Sequence, residues 1–166
     1  MNLLNKKEEK TEKELIVAKI DNGIVIDHIT PPGRAFYALK ALNIDENFPH
    51  SVFVAINLPS RKFGRKDLLK IRNMKREDLN IEKLGLLISG SNIAYIKDYM
   101  IIEKEKIKTP KRISGVIKCP GLNCITSRHE DVDPEFIVLN EHQPISLRCV
   151  YCDAIFNVHE HISLML

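Results

Sequence analysis

The chain has 166 residues and a mass of 19.0 kDa, which is room for one ordinary domain or two small ones. With 44% apolar and 28% charged residues the composition is globular, neither disordered nor membrane-like. A net charge of +3 argues little for nucleic acid, and 6% aromatics without tryptophan leave few platforms for stacked bases. No run approaches the ~20 apolar residues of a membrane helix. The lysine- and glutamate-rich start does not read as a secretory signal, so a cytoplasmic location is expected.

The charge is uneven along the chain. Residues 1–110 hold 20 Lys and Arg against 15 Asp and Glu, whereas residues 111–166 hold 5 against 7. All four cysteines and four of the six histidines lie in the second stretch. The expected organisation is a charged arm over 1–14, a first domain over 15–110 and a second over 111–166. The link falls at Lys108-Thr109-Pro110-Lys111-Arg112, a proline among like charges.

Residues 15–20 and 24–29 are short, apolar and β-branched, and each reads as a strand. Asp21-Asn22-Gly23 between them is a hairpin signal. Pro31-Pro32 can open a helix in which Ala35, Phe36, Leu39 and Leu42 share one face. Residues 51–58 alternate Val52, Val54, Ile56 and Leu58 on one side, the pattern of a half-buried strand. A loop over 58–64 and a strand over 65–74 follow, the strand carrying Lys70 and Arg72 on one face. Arg61, Lys62, Arg65 and Lys66 form a basic cluster suited to an anionic ligand or a subunit contact. A helix is expected over 76–87, and strands over 92–98 and 99–103. The order ββαββαββ predicts an α+β domain, close to a ferredoxin-like antiparallel sheet with two helices on one face.

The second unit is organised by its cysteines. Cys119-Pro120-Gly121-Leu122-Asn123-Cys124 and Cys149-Val150-Tyr151-Cys152 are two turns that can present four thiolates to one tetrahedral zinc. A reducing compartment disfavours disulfides. Four cysteines close the coordination sphere, so the metal is expected to be structural, one zinc per chain. Residues 135–139 and 145–148 read as strands, giving a small all-β, zinc-ribbon-like unit. His159 and His161 are expected on one face of a solvated C-terminal strand. The absence of a Gly-x-x-x-x-Gly-Lys loop excludes a P-loop NTPase, and no Ser/His/Asp or paired-carboxylate arrangement stands out. The chain therefore reads as a binding module, not an enzyme. A nucleic-acid-binding zinc-ribbon protein is the alternative, opposed by the net-negative zinc unit and by knuckles that carry no Arg or Lys.

Four segments carry a resemblance. They are Gly23-Ile24-Val25-Ile26-Asp27-His28-Ile29; Asn57-Leu58-Pro59-Ser60 followed by Gly64-Arg65-Lys66-Asp67-Leu68-Leu69-Lys70-Ile71; the two cysteine knuckles; and Ile96-Lys97-Asp98-Tyr99 through Lys104, with a proline and Arg112-Ile113 beyond. In these the chain resembles the regulatory chains of aspartate carbamoyltransferase. The resemblance implies allosteric control in pyrimidine biosynthesis, with nucleoside triphosphates of the CTP/ATP type bound by the first unit. It implies a regulatory-chain homodimer and a zinc unit docked on the catalytic chain. Neither nucleic acid nor membrane is an expected partner. Carried over, Asp27 and His28 would lie at the ribose and phosphates, Lys70 at the ribose and base side, and Lys104 at the phosphates. Val17, Ile20, Tyr99 and Ile101 would line the base pocket. Cys119, Cys124, Cys149 and Cys152 would hold the zinc. Ala94 stands where the best-known members carry asparagine.

Overall fold

The computed structural model describes residues 19–129 and 131–164. Two antiparallel sheets organise them. The first contains β1 (Gly23–Ile29), β2 (Val52–Ser60), β3 (Gly64–Arg72), β4 (Asn92–Lys97) and β5 (Met100–Lys106), in the order β2-β3-β1-β4-β5. Helix α1 (Ala35–Ala41) links β1 to β2, and α2 (Ile81–Leu87) links β3 to β4. This is the ferredoxin-like order with β5 added at one edge. The second sheet is a meander of β6 (Arg112–Ser114), β7 (Glu135–Val138), β8 (Ser146–Cys149) and β9 (Ile155–Asn157). A one-turn helix α3 (Ile125–Arg128) follows the first cysteine knuckle.

The pleat of the large sheet separates two faces. Ile24 and Ile26 of β1, Leu69 and Ile71 of β3 and Ile93 of β4 are fully buried on the helix side. α1 packs against β3 and α2. Its small residues Ala35, Ala38 and Ala41 face inward, while Phe36, expected inward, is 61% exposed.

β1 lies at the centre of the sheet. Gly23 pairs with Arg72 on one side and Ile96 on the other, so neither edge is open to a preceding hairpin strand. Lys19 and Ile20 are not in a strand, and the rest of the 15–20 run lies outside the described residues. The Asn22-Gly23 signal has another cause. A Cβ on Gly23 would sit 2.1 Å from the Ile71 carbonyl oxygen, and φ is +133°. A tight turn of that kind occurs instead at Asp98-Tyr99, both with positive φ, between β4 and β5.

Two further expectations change. The 76–87 helix is split into a 3₁₀ turn (Arg76–Asp78) and α2, because Asn80 caps α2 by accepting from the Lys83 amide at 2.9 Å. In β2, an irregularity between Ala55 and Leu58, with Asn57 at φ +61°, breaks the alternation beyond Ala55, and Val54 and Ile56 are exposed on this edge strand. The irregularity is held by Asp67. Its buried carboxylate accepts from the Asn57 amide at 2.9 Å and from the Gly33 and Ala35 amides at 2.7 and 3.1 Å. One side chain thus ties β3 to β2 and to the start of α1.

Candidate functional site

The cysteine knuckles converge. The four Sγ atoms all lie within 4.8 Å of one another. Cys119 and Cys152 are 3.6 Å apart at sulfur, and Cys124 and Cys149 are 3.7 Å apart. A disulfide needs about 2.05 Å, so these are four separate thiols. A tetrahedral zinc with bonds of about 2.3 Å needs sulfur–sulfur edges of about 3.8 Å, so the cluster fits a divalent metal of that size. Gly121 shapes the cradle: a Cβ there would meet Cys152 Sγ at 3.2 Å and Cys119 Sγ at 3.4 Å. Its amide donates to Cys119 Sγ at 3.4 Å. Burial pushes the Cys119 and Cys149 thiols above their ordinary range, so a bound cation is what would make them thiolates. The four ligands leave no open position, and the metal would supply cross-linking rather than reaction chemistry.

The second candidate site lies on the helix-free face of the large sheet. Register places Phe53 of β2, Lys70 of β3, Val25 of β1, Ala94 of β4 and Lys104 of β5 in one row across five strands. Lys70 and Lys104 are separated by three strand spacings, about 14 Å at about 4.8 Å each. Lys70 is only 8% exposed, 5.6 Å from the centre of the Phe53 ring, and burial lowers its pKa. Lys104 is exposed on the edge strand. Lys70 opens into a cleft of about 370 Å³ that Lys19, Ile20, Arg72 and Tyr99 also line. Ile101 pairs with Ile96 one row on and is 59% exposed. Asp27 sits two residues along β1 on the same face, opposite Asn92. Its carboxylate takes the Lys66 ammonium at 2.7 Å. His28, at φ +61°, leaves the pleat. It lies 3.3 Å from the Asn92 side chain and edge-on to Phe63. Val17 lies outside the described residues.

A scan against family models matches two. Residues 15–108 match the aspartate carbamoyltransferase regulatory chain, allosteric domain, and residues 111–162 match the metal binding domain of the same chain. The chain belongs to the aspartate carbamoyltransferase regulatory chain family. It is 38% identical over 154 residues to the regulatory chain of Sulfolobus acidocaldarius, covering 93% of each. It is 43% identical over 140 residues to that of Aeropyrum pernix, covering 83% of this chain and 87% of the relative. With the chain of Thermoplasma volcanium it shares 40% over 146 residues, covering 88% and 95%. The relatives are regulatory rather than catalytic chains, in keeping with a non-enzymatic subunit. No helix among the described residues is long and apolar enough to cross a membrane.

Within this regulatory chain the predicted effector residues do not all meet: Ile101 and Lys104 lie exposed on the edge strand β5, and the other described ones fall in two places. Ile20, Lys70 and Tyr99 share the cleft, while Asp27 and His28 meet Lys66 and Asn92 at the far end of β1. Lys66 and Asn92 were legible only as part of a basic loop and as a strand residue. The basic cluster does not act as a unit. Lys66 pairs with Asp27, Arg65 donates to the Asn57 carbonyl at 2.9 Å, and Lys62 lies over Phe63.

A polar joint between the two units was not expected from sequence. Arg34, just before α1, donates through Nη1 to the Leu87 carbonyl and to Gln143 Oε1, each at 3.2 Å, and the same nitrogen lies against both ring nitrogens of His159, 2.9 Å from Nδ1 and closer still to Nε2. His159 Nε2 also meets Gln143 Oε1, and Gln143 Nε2 donates to the Leu86 carbonyl at 3.1 Å. His159 and His161 are therefore not on a strand; both lie in the turn after β9. Burial lowers the pKa of both Arg34 and His159, the latter to about 4 with Arg34 adding repulsion.

Proposed function

We propose that the chain is the allosteric subunit of an aspartate carbamoyltransferase in pyrimidine biosynthesis. It binds nucleoside triphosphates of the CTP/ATP type on the helix-free face and passes their effect to catalytic chains. The observation that carries this reading is the row in which Lys70 and Lys104 flank Val25 and Ala94. A triphosphate needs cationic partners, and a base needs apolar walls. The row offers cations at the two ends of an extended ligand and small or apolar side chains between them. Asp27 and His28 would meet the ribose and phosphates; Val17, Ile20, Tyr99 and Ile101 would meet the base.

The domain boundaries proposed are 15–110 for effector binding and 111–166 for the metal unit, after an arm over 1–14. The metal proposed is a structural zinc on Cys119, Cys124, Cys149 and Cys152. Leu122 and Ile125 beside one knuckle and Val150 and Tyr151 in the other are exposed, at 88, 47, 39 and 48%. This patch supports docking of the zinc unit on a catalytic chain. Tyr99, Met100, Ile101 and Ile102 expose an apolar stretch at the edge of the sheet. Among the described residues this edge has no neighbouring strand, and an apolar edge invites one, which supports a regulatory homodimer.

Calorimetric titration of ATP and CTP into wild type, Lys70→Ala and Lys104→Ala tests the site. Loss of a charge-assisted contact is worth about 1.5–3 kcal/mol, or about ten- to hundredfold in affinity. Lys104→Ala should weaken both nucleotides alike. Lys70→Ala should also change their ratio. Unchanged affinities in both variants would move the effector site elsewhere.

A further inference from the structure

The nucleotide-face reading leaves open how occupancy reaches the zinc unit, and the hydrogen bonds supply a short route. Lys66 on β3 pairs with Asp27 on the open face. The next residue, Asp67, turns to the other face and accepts from the amides of Gly33 and Ala35, the two neighbours of Arg34. The Arg34 backbone is thereby pinned from both sides to the strand that carries Lys70. Its guanidinium then reaches out of the first unit to Gln143 and His159 of the second. Gln143 returns a bond to the end of α2 through the Leu86 carbonyl. Tyr37 of α1 stacks on His159 with ring centres 6.3 Å apart.

We propose that Arg34, Gln143 and His159 are positioning residues that couple effector binding to the zinc unit, with Asp67 as the pivot between β3 and Arg34. The proposal rests on the nucleotide reading above. Its physical basis is directional. Most of the contact between two packed apolar surfaces survives a small slide, but a guanidinium shared by a carbonyl, an amide oxygen and a ring nitrogen does not. A shift of β3 when Lys70 or Lys66 engages an anion would carry Asp67, hence Arg34, and force the Gln143 and His159 partners to follow or break. Those partners lie together at the open end of the β8–β9 hairpin, with Gln143 ahead of β8 and His159 after β9. Cys149 closes β8, and Cys152 lies in the turn between the strands.

The test uses the full regulatory chain assembled with catalytic chains. Two quantities are measured for each variant: nucleotide affinity by calorimetry, and the nucleotide-induced shift in aspartate half-saturation. Gln143→Leu removes both bonding directions while keeping bulk. Arg34→Met keeps much of the side-chain length but removes every bond made through Nη1, and serves if the first variant fails to assemble. The expected result is nucleotide affinity within about twofold of wild type, with the nucleotide-induced shift falling from the usual about fivefold or more to under about twofold. Basal aspartate saturation should hold. A full shift in both variants would overturn the joint, as would a loss of thermal stability without loss of the shift. Wild-type chain that binds no nucleotide at all would sink the effector reading itself, a result separate from binding with unaltered transmission.

Discussion

The two units of this chain are held together by different physics. The first has a five-stranded sheet whose helix side carries a continuous row of fully buried isoleucines and leucines, Ile24, Ile26, Leu69, Ile71 and Ile93 among them. The second has strands of three and four residues and a small core around Phe136, Ile145, Leu147 and Val158. Three of its four cysteines are themselves buried. A unit that size buries too little apolar surface to offset its chain entropy with ease, so a metal cross-link is the expected supplement. The contrast separates two kinds of dependence: the first unit rests on packing and on one buried carboxylate, and the second is expected to rest on a metal held by its four cysteines.

The largest expected effect breaks the second unit alone. Removing the metal with a chelator, or changing Cys149→Ser, should unfold residues 111–164, because structural zinc contributes on the order of 10–16 kcal/mol in small metal domains. Metal analysis should return about one zinc per chain. The β6–β9 amide signals should collapse in NMR spectra while those of β1–β5 persist. Chelated chain with intact β7 and β8 signals would show that the packing of Phe136 and Phe156 suffices.

The next effect breaks the first unit. Asp67→Ala leaves the amides of Gly33, Ala35 and Asn57 without their acceptor, so stability should fall by about 3 kcal/mol or more. Urea unfolding followed on the first sheet measures it. A loss below about 1 kcal/mol would show that water or a local shift satisfies the three amides.

Asp67 also marks the limit of what the sequence discloses. Local patterns were readable: seven of the strands (β1 to β5, β7 and β8), the cysteine knuckles and the βα alternation follow from periodicity and cysteine spacing. What escaped was set by distant partners. Gly23 looks like a hairpin glycine, but its requirement comes from the Ile71 carbonyl across the sheet. Gly85 looks like a weak helix residue, yet a Cβ there would meet the Lys108 carbonyl oxygen at 2.4 Å. Asp67 lies in a segment quoted for its lysines, and nothing local shows that its carboxylate reaches residues 10 and more than 30 positions away. The joint was hidden for the same reason: Gln143 and His159 lie 109 and 125 positions from Arg34. The row of Phe53, Lys70, Val25, Ala94 and Lys104 required the pairing register, which alternation alone does not give.

The smallest effect sharpens the comparison at the boundary between the units, through pH. His159 is held neutral in the fold, its pKa lowered to about 4 from the ordinary 6.5, first by burial and then by the Arg34 charge. Arg34 Nη1 lies against both ring nitrogens, so a second proton on the ring would set two cations face to face. The folded pKa lies below the unfolded one, and the unfolded chain therefore binds more protons between pH 6.5 and 4. The contribution of this group is fully present above about pH 6.5 and is lost progressively as pH falls toward 4. Because His159 is only partly buried, solvent screening reduces the effect to about 1 kcal/mol. His159→Gln cannot titrate and should flatten that part of the profile relative to wild type. Thermal unfolding at fixed ionic strength from pH 7.5 to 4.5, with the two chains compared, isolates the difference from the carboxylates they share. Parallel profiles would mean that the imidazole is as free to protonate in the fold as in the unfolded chain, and that the joint is open in solution.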